Sequence, residues 1–335
     1  MLKILMRCAI IALALLPAAA AAEPIKLKLA FFSSDRANVY LAAIKPFVDA
    51  VNGEAKGLID IEVHFSGALG KSQAEQAQLV LDGRADIAFV TPGLTQDQFP
   101  DNTVVELPGL YRDMREATLV YTRLAAADAL RGYEDFFVVG AFTSEPQSIH
   151  TRRRVMSLDD LRGMKIRANN PMQAETLAKL GMVPVIMPLN QIANAISAGI
   201  IDGAPMTQTI LFEFGVSRVA TYHFFLGIGG SPLAVLMNRK KFESLPARAQ
   251  EIIRKHSGEW TAERFIKNFD AVNVQTMEQL KSDPKRAVVI PSKSDMEKAA
   301  AAFKAVTDET MDKSPHSREL LRAAKSEIAK LRASE

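Results

Sequence analysis

The sequence predicts an α/β protein built as two lobes. Between Ile25 and Val90, strand, helix, strand, helix and strand follow one another within about 70 residues. That is the rhythm of a parallel sheet with right-handed crossovers. Between Ser157 and Gly203 the alternation returns as strand, helix, strand and helix around one arginine, Arg167. Size is the third observation: 335 residues, 48% of them hydrophobic, can bury more than one core.

The first 22 residues read as a secretory signal rather than as structure. Lys3 and Arg7 make the basic head and Cys8 to Leu16 the apolar run, too short to span a bilayer comfortably. Pro17 and the alanines after it make the cleavage region, with the cut expected after Ala22. Removing Lys3 and Arg7 takes two units from a formal charge of +3, so no basic field points to nucleic acid. Cys8 is the only cysteine, which leaves the mature chain without disulfides or cysteine-ligated metals. The expected compartment is the periplasm.

The mature chain opens with an alternating strand, 25–32. Its last two residues, Phe31 and Phe32, have equal claims on the core and on a cleft, because neighbours on a strand face opposite ways. Ser33, Ser34 and Asp35 start a helix whose apolar face runs from Val39 to Val51. A strand from Ile59 to Phe65, a helix carrying Leu79 to Leu81, and a buried strand ending at Thr91-Pro92 follow. The carboxyl ends of these strands should face an interlobe cleft, where open α/β sheets bind ligands. Residues 97–111 read as loop and 115–130 as a long helix. Strands at 136–142 and 147–151 then carry the chain across to the second lobe.

There, Ser157 is the expected N-cap of a short helical turn that Gly163 closes. The next strand delivers Arg167 at its end, and Asn169-Asn170-Pro171 opens an amphipathic helix. Val183 to Met187 reads as a buried strand, and Asp202-Gly203 as an acidic-glycine turn. Tyr222 to Leu226 leads through Gly227–Pro232, a hinge return rich in small residues, to a strand at 233–237. His223, alone among aromatics, reads as a satisfied structural group before a ligand contact. A helical run from Ala247 to about Leu280 is interrupted only by Gly258, and a last strand at 287–290 precedes two final helices.

Gly163-x-Lys165-Ile166-Arg167, Leu180-Gly181-Met182-Val183-Pro184-Val185 and the Asp202-Gly203 turn resemble the solute-binding proteins of TRAP (tripartite ATP-independent periplasmic) transporters. The type is the dicarboxylate-binding-protein (DctP) one. A Gly67-x-Leu69-Gly70 turn and a Gly83-x-x-Asp86 strand entry extend the similarity over nearly the whole mature chain. The resemblance implies a two-lobed periplasmic-binding-protein fold with a hinge of crossing strands and a long C-terminal helix across both lobes. Lobe one would hold residues 24–144 and about 233–270, lobe two 145–232 and about 271–335. It also implies that Arg167 forks onto a ligand carboxylate, for which a planar, permanently charged guanidinium is suited. Phe224 and Phe225 lie on a strand that lines the cleft in the family.

The chain departs from the family pattern around that arginine. Gln147 stands where many dicarboxylate and sialic-acid binders carry a second arginine. The family's Asp-Gly-Gln-Glu-Asn turn is here Asp202-Gly203-Ala204-Pro205-Met206, so Thr207 or Gln208 would have to replace the asparagine amide. Thr91 occupies a strand end that is acidic in sialic-acid binders. A single arginine fork with neutral surroundings suits one carboxylate on an uncharged or aromatic body. A second, unpaired carboxylate would cost several kcal/mol to bury. The candidate contacts are Arg167, Gln147, Phe31, Phe32, Thr91, Asn169, Met206, Thr207, Gln208, Phe224 and Phe225.

Other chemistry is missing. Gly70-Lys71-Ser72 ends like a phosphate loop, but the motif's first glycine would fall on Phe65. The histidines of the mature chain are scattered without metal-ligand spacing. No enzyme, cofactor or resident metal is expected, though a divalent cation bridging ligand and protein stays open. The expected function is capture of an organic acid by a monomer and its delivery to the small and large subunits of a membrane permease. A four-carbon dicarboxylate ligand and a sensory module are the alternatives.

Overall fold

The computed structural model describes residues 23–334, so the expected secretory signal lies outside the described residues. Alternation builds β1 (Ile25–Ala30), in which Leu27 and Leu29 are wholly buried and Lys26 and Lys28 face out. The helix after it begins at Asn38, later than Ser33–Asp35. It passes through a π-helical turn, Tyr40–Ile44, into α1 (Lys45–Glu54). Pro46 has no N–H for the turn below it, and the ladder widens just before it. β2 (Ile59–His64), α2 (Gln76–Leu81) and β3 (Ile87–Val90) complete the first crossovers.

The segment read as loop holds a short helix, α3 (Thr103–Glu106). Asp113 caps α4 (Met114–Ala126), its carboxylate accepting from the Glu116 N–H at 2.8 Å. β4 (Phe136–Thr143) ends the first lobe and β5 (Ser148–Thr151) begins the second. There follow β6 (Lys165–Ala168), α5 (Pro171–Lys179), β7 (Val183–Ile186), α6 (Ile192–Ser197), β8 (Gly203–Met206), α7 (Gln208–Glu213) and β9 (Tyr222–Phe224). The chain returns through β10 (Pro232–Asn238), α8 (Arg239–Ser244), α9 (Ala247–Lys255) and α10 (Glu259–Ser282), and ends with β11 (Ala287–Val289), α11 (Lys293–Met311) and α12 (Pro315–Ala333).

The strands form two sheets, one per lobe. The first runs β2-β1-β3-β10-β4, with β10 antiparallel to its neighbours; the second runs β11-β9-β5-β8-β6-β7. Of the three connections between sheets, two lie side by side: Gln147 N–H donates to Gly229 O at 2.8 Å, and Ile228 N–H to Gln147 O at 3.0 Å. The long helix α10 packs against α4 and β4 of lobe one and against α7 and β11 of lobe two.

Several local expectations give way. Ser157 does not cap a helix; the Asp160 carboxylate accepts from the Met156 and Ser157 N–H groups, and the turn is a 3₁₀ one, Asp159–Leu161. β7 is an edge strand rather than a buried one, with Val183 47% and Ile186 61% exposed. The long run after Pro246 is two helices, broken at Gly258, whose φ of 63° suits a residue without a side chain. The final helix does not stay with lobe two: Leu320, Ala324 and Ile328 of α12 join a first-lobe core with Leu124 and Val120. Placing residues 271–335 together in lobe two is therefore corrected for α12.

Candidate ligand-binding cleft

A cavity of about 600 Å3, counting space open to solvent, lies between the lobes. Phe32, Phe89 and Leu233 wall it from the first sheet, Phe269 from α10, and Leu189, Ile210 and Phe214 from lobe two. Ser33, Gln73, Thr207 and Thr209 add polar atoms without charge. Two carboxyl groups, Glu145 and Glu213, belong to the same wall, and among the described residues no lysine or arginine does. Burial pushes the Glu145 carboxyl up to about 7, against the opposing pull of its own backbone N–H and, less, of the Asn273 amide. Burial also raises Glu213, at which the Asn38 N–H pulls the other way.

Arg167 lies beside this cavity rather than in its wall. It is the third residue of β6, where its parallel pairing with Val185 of β7 and that of Ile166 with Gly203 of β8 fix the backbone, and it is only 4% exposed. Its Nε donates to Met187 O at 3.0 Å and its Nη2 to Asn169 Oδ1 at 2.8 Å. Among the described residues no carboxylate pairs with it, and desolvation alone lowers it to about 10. Leu189, two residues beyond Met187, carries the chain from this guanidinium to the cavity wall.

The other candidates fall into three groups. Phe32 and Thr207 line the cavity; the Thr207 hydroxyl also caps α7 by accepting from the Ile210 N–H at 3.4 Å. Thr91, Gln147 and Asn169 stand around the cleft with their polar atoms engaged. Thr91 Oγ1 accepts from Gln73 Nε2 at 2.9 Å, and Gln147 bonds Ser231 Oγ and Gln173. Gln208 is half-buried, and its Oε1 lacks a hydrogen-bond partner among the described residues. The third group is core: Phe31, Phe224 and Met206 are buried in the lobes, and Phe225 packs edge-on against His150. Of the phenylalanine pair at the end of β1, the strand turns Phe31 inward and leaves Phe32 to the cleft.

Some residues escaped the sequence reading. Phe89 and Phe269 read only as core stripe, because burial against a cavity and against protein have one pattern. Glu106 is a buried carboxyl raised to about 8 by burial, partly offset by hydrogen bonds from Asn170 and Gln96. Asn170 Nδ2 reaches it across the lobes at 2.8 Å, while its Oδ1 caps α5 at the Gln173 N–H. The cap was readable from Asn170-Pro171; the partner in the other lobe was not. Among the described residues no cluster of side chains could hold a metal ion.

Comparison with known proteins agrees with this architecture. The model of the family described as bacterial extracellular solute-binding protein, family 7, matches residues 30–314. Over 249 residues the chain is 25% identical to the C4-dicarboxylate-binding periplasmic protein of Rhodobacter capsulatus, covering 72% of this chain and 73% of that one. A TRAP solute-binding protein from an unidentified marine microbe, specific for aromatic acid ligands and solved with 3-hydroxybenzoate, superposes with a TM-score of 0.83 at 26% identity, covering 92% of this chain and 99% of the other. One from Rhodoferax ferrireducens, solved with copurified benzoate, gives 0.81 at 26% identity, covering 91% and 98%.

Proposed function

The chain belongs to family 7 of the bacterial extracellular solute-binding proteins, the DctP family of TRAP transporters, and from that premise we propose that it captures an organic acid with one carboxylate and an apolar, ring-sized body. Members of this family bind solutes rather than transform them, and they work in the periplasm. The observation that carries the reading is Arg167, a buried guanidinium without a carboxylate partner among the described residues. A charge left alone in a low-dielectric site is costly, and an incoming carboxylate relieves that cost through short, charge-assisted bonds. Phe32, Phe89, Phe269 and Phe214 supply an apolar wall for the rest of the ligand. The aromatic-acid and benzoate binders named above are relatives whose ligands have this form.

The ligand would enter the open cleft, and the lobes would close by rotation at the paired connections around Gln147 and Gly229. Closure is a shift of population, driven only as far as the ligand binds the closed state more tightly. The closed form would then hand the acid to the small and large membrane subunits, after a secretory signal at residues 1–22 has taken the chain to the periplasm. A four-carbon dicarboxylate is the second reading, favoured by the Rhodobacter capsulatus relative. It would need a second cation, which the cavity wall does not supply.

A thermal-shift screen of refolded, ligand-free protein tests both readings. An acid at about a hundred times its Kd adds about 2.7 kcal/mol of stability. Stabilisation by benzoate-like acids and none by succinate or malate is expected. Stabilisation by the diacids would overturn the one-carboxylate reading, and silence towards every acid would overturn the carboxylate reading itself.

A further inference from the structure

Arg167 is held by a chain of amides. Its Nη2 donates to Asn169 Oδ1 at 2.8 Å, and the Asn169 backbone N–H donates to Gln173 Oε1, also at 2.8 Å. Gln173 Nε2 donates to Gln147 Oε1 at 2.8 Å, and Gln147 Nε2 to Ser231 Oγ at 2.9 Å. Ser231 N–H in turn donates to Ser144 Oγ at 2.9 Å, at the first connection between the lobes. A backbone N–H can only donate, so the Asn169 amide fixes the Gln173 oxygen toward itself. That leaves the Gln173 nitrogen for Gln147, and the Gln147 nitrogen for Ser231. Each orientation follows from the one before it.

We propose that Gln173 is the positioning residue of the carboxylate site: it clamps the Asn169 backbone that orients Arg167, and through Gln147 it ties that arginine to the hinge. The proposal rests on the reading of Arg167 as the carboxylate contact and extends it. Gln147 then acts through its two side-chain bonds rather than by touching the ligand. The segment has little else to steady it, for Asn169 is half-buried at the end of a four-residue strand. A side chain one helical turn along, on α5, supplies the missing restraint by reaching back over Asn170. The same helix N-terminus is capped by Asn170, which also meets Glu106 of lobe one. Arginine, hinge and opposite lobe therefore converge on the first turn of α5.

The test has two readouts on the full mature chain. The first is hydrogen exchange at the Arg167 Nη2–H that Asn169 accepts, followed by NMR and assigned with Arg167→Lys; it needs no ligand. Gln173→Met, which keeps the length and helix propensity but loses both polar atoms, should speed that exchange about tenfold, the scale of one lost hydrogen bond. Gln173→Glu keeps the acceptor for the Asn169 N–H and should restore most of the protection. The second is the Kd for 3-hydroxybenzoate, expected to weaken about tenfold in Gln173→Met and not at all when Arg167→Ala is already present. Unchanged Nη2–H exchange in Gln173→Met would overturn the proposal whatever the ligand. So would an equal loss of affinity in the Arg167→Ala background, which would make Gln173 a structural support only. Failure of the wild-type chain to bind the acid would instead sink the functional reading, and the exchange result alone would still decide the positioning claim.

Discussion

At position 167 burial and charge are in conflict, and among the described residues no carboxylate resolves it. The guanidinium has a carbonyl and an amide oxygen for company, and its affinity for the proton is lowered by desolvation. A different outcome holds for His150 and His223, which are buried together with their Nδ1 atoms 2.8 Å apart. His150 Nε2–H donates to Met206 O, so the shared proton belongs to His223, whose Nε2 faces Arg286. Burial and the neighbouring ring lower His150 to about 3, and burial and Arg286 lower His223 to about 4. Unfolded histidines take up protons near pH 6.5. Stability from the pair is therefore whole above that value and is lost as the pH falls through 4. Both imidazoles should remain neutral by NMR down to pH 5; a titration near 6.5 for either ring would contradict the buried pair. The sequence reading that made His223 a structural group matches this placement, since a lone histidine on a buried strand has protein to bond.

Among the elements, those set by alternation were readable and those set by position in the fold were not. Leu27 and Leu29 against Lys26 and Lys28 announce β1 and its buried face. Val183 to Ile186 is as apolar as a central strand, yet it lies at a sheet edge, and nothing in four residues distinguishes the two. Pro184 fits the edge, where a missing donor costs least. The stripe Leu320, Ala324, Ile328 likewise says that α12 is buried on one face but not against which lobe. Gly258 was the one visible interruption of the helical run, and its backbone (φ 63°, ψ −128°) explains why α9 and α10 are separate. No atom crowds a Cβ added there, so Gly258→Ala would carry only the backbone strain, about 1–3 kcal/mol. Chemical denaturation should register that loss. An unchanged midpoint would mean that the break is not enforced by this residue. Asn170→Ala is a second element-scale test: loss of the α5 cap should cost about 1 kcal/mol, with a further cost from leaving Glu106 short of a donor.

Across the whole molecule, Glu106 and Asn170 join the lobes close to Arg167. Burial raises Glu106 from 4.5 to about 8, so the folded chain keeps a proton that an exposed carboxyl releases. Its contribution is present below pH 4.5 and declines as the pH rises through 8. Glu106→Gln, which keeps an acceptor for Asn170, should flatten the fall in unfolding midpoint between pH 5 and 8; a slope equal to that of the wild type would remove Glu106 from the lobe contact. Arg167 stood out as a candidate because its neighbours Gly163, Lys165 and Ile166 make a recognisable motif. Glu106 and Gln173 were not, because each gains its meaning from a residue of another element. The most direct test of the central claim compares benzoate with benzamide, its uncharged amide, by calorimetry on the wild type and Arg167→Ala. We expect the wild type to prefer the acid by about a hundredfold, the worth of a charge-assisted fork, and the variant to lose that preference while remaining folded. An Arg167→Ala protein that holds benzoate as tightly as the wild type would contradict it.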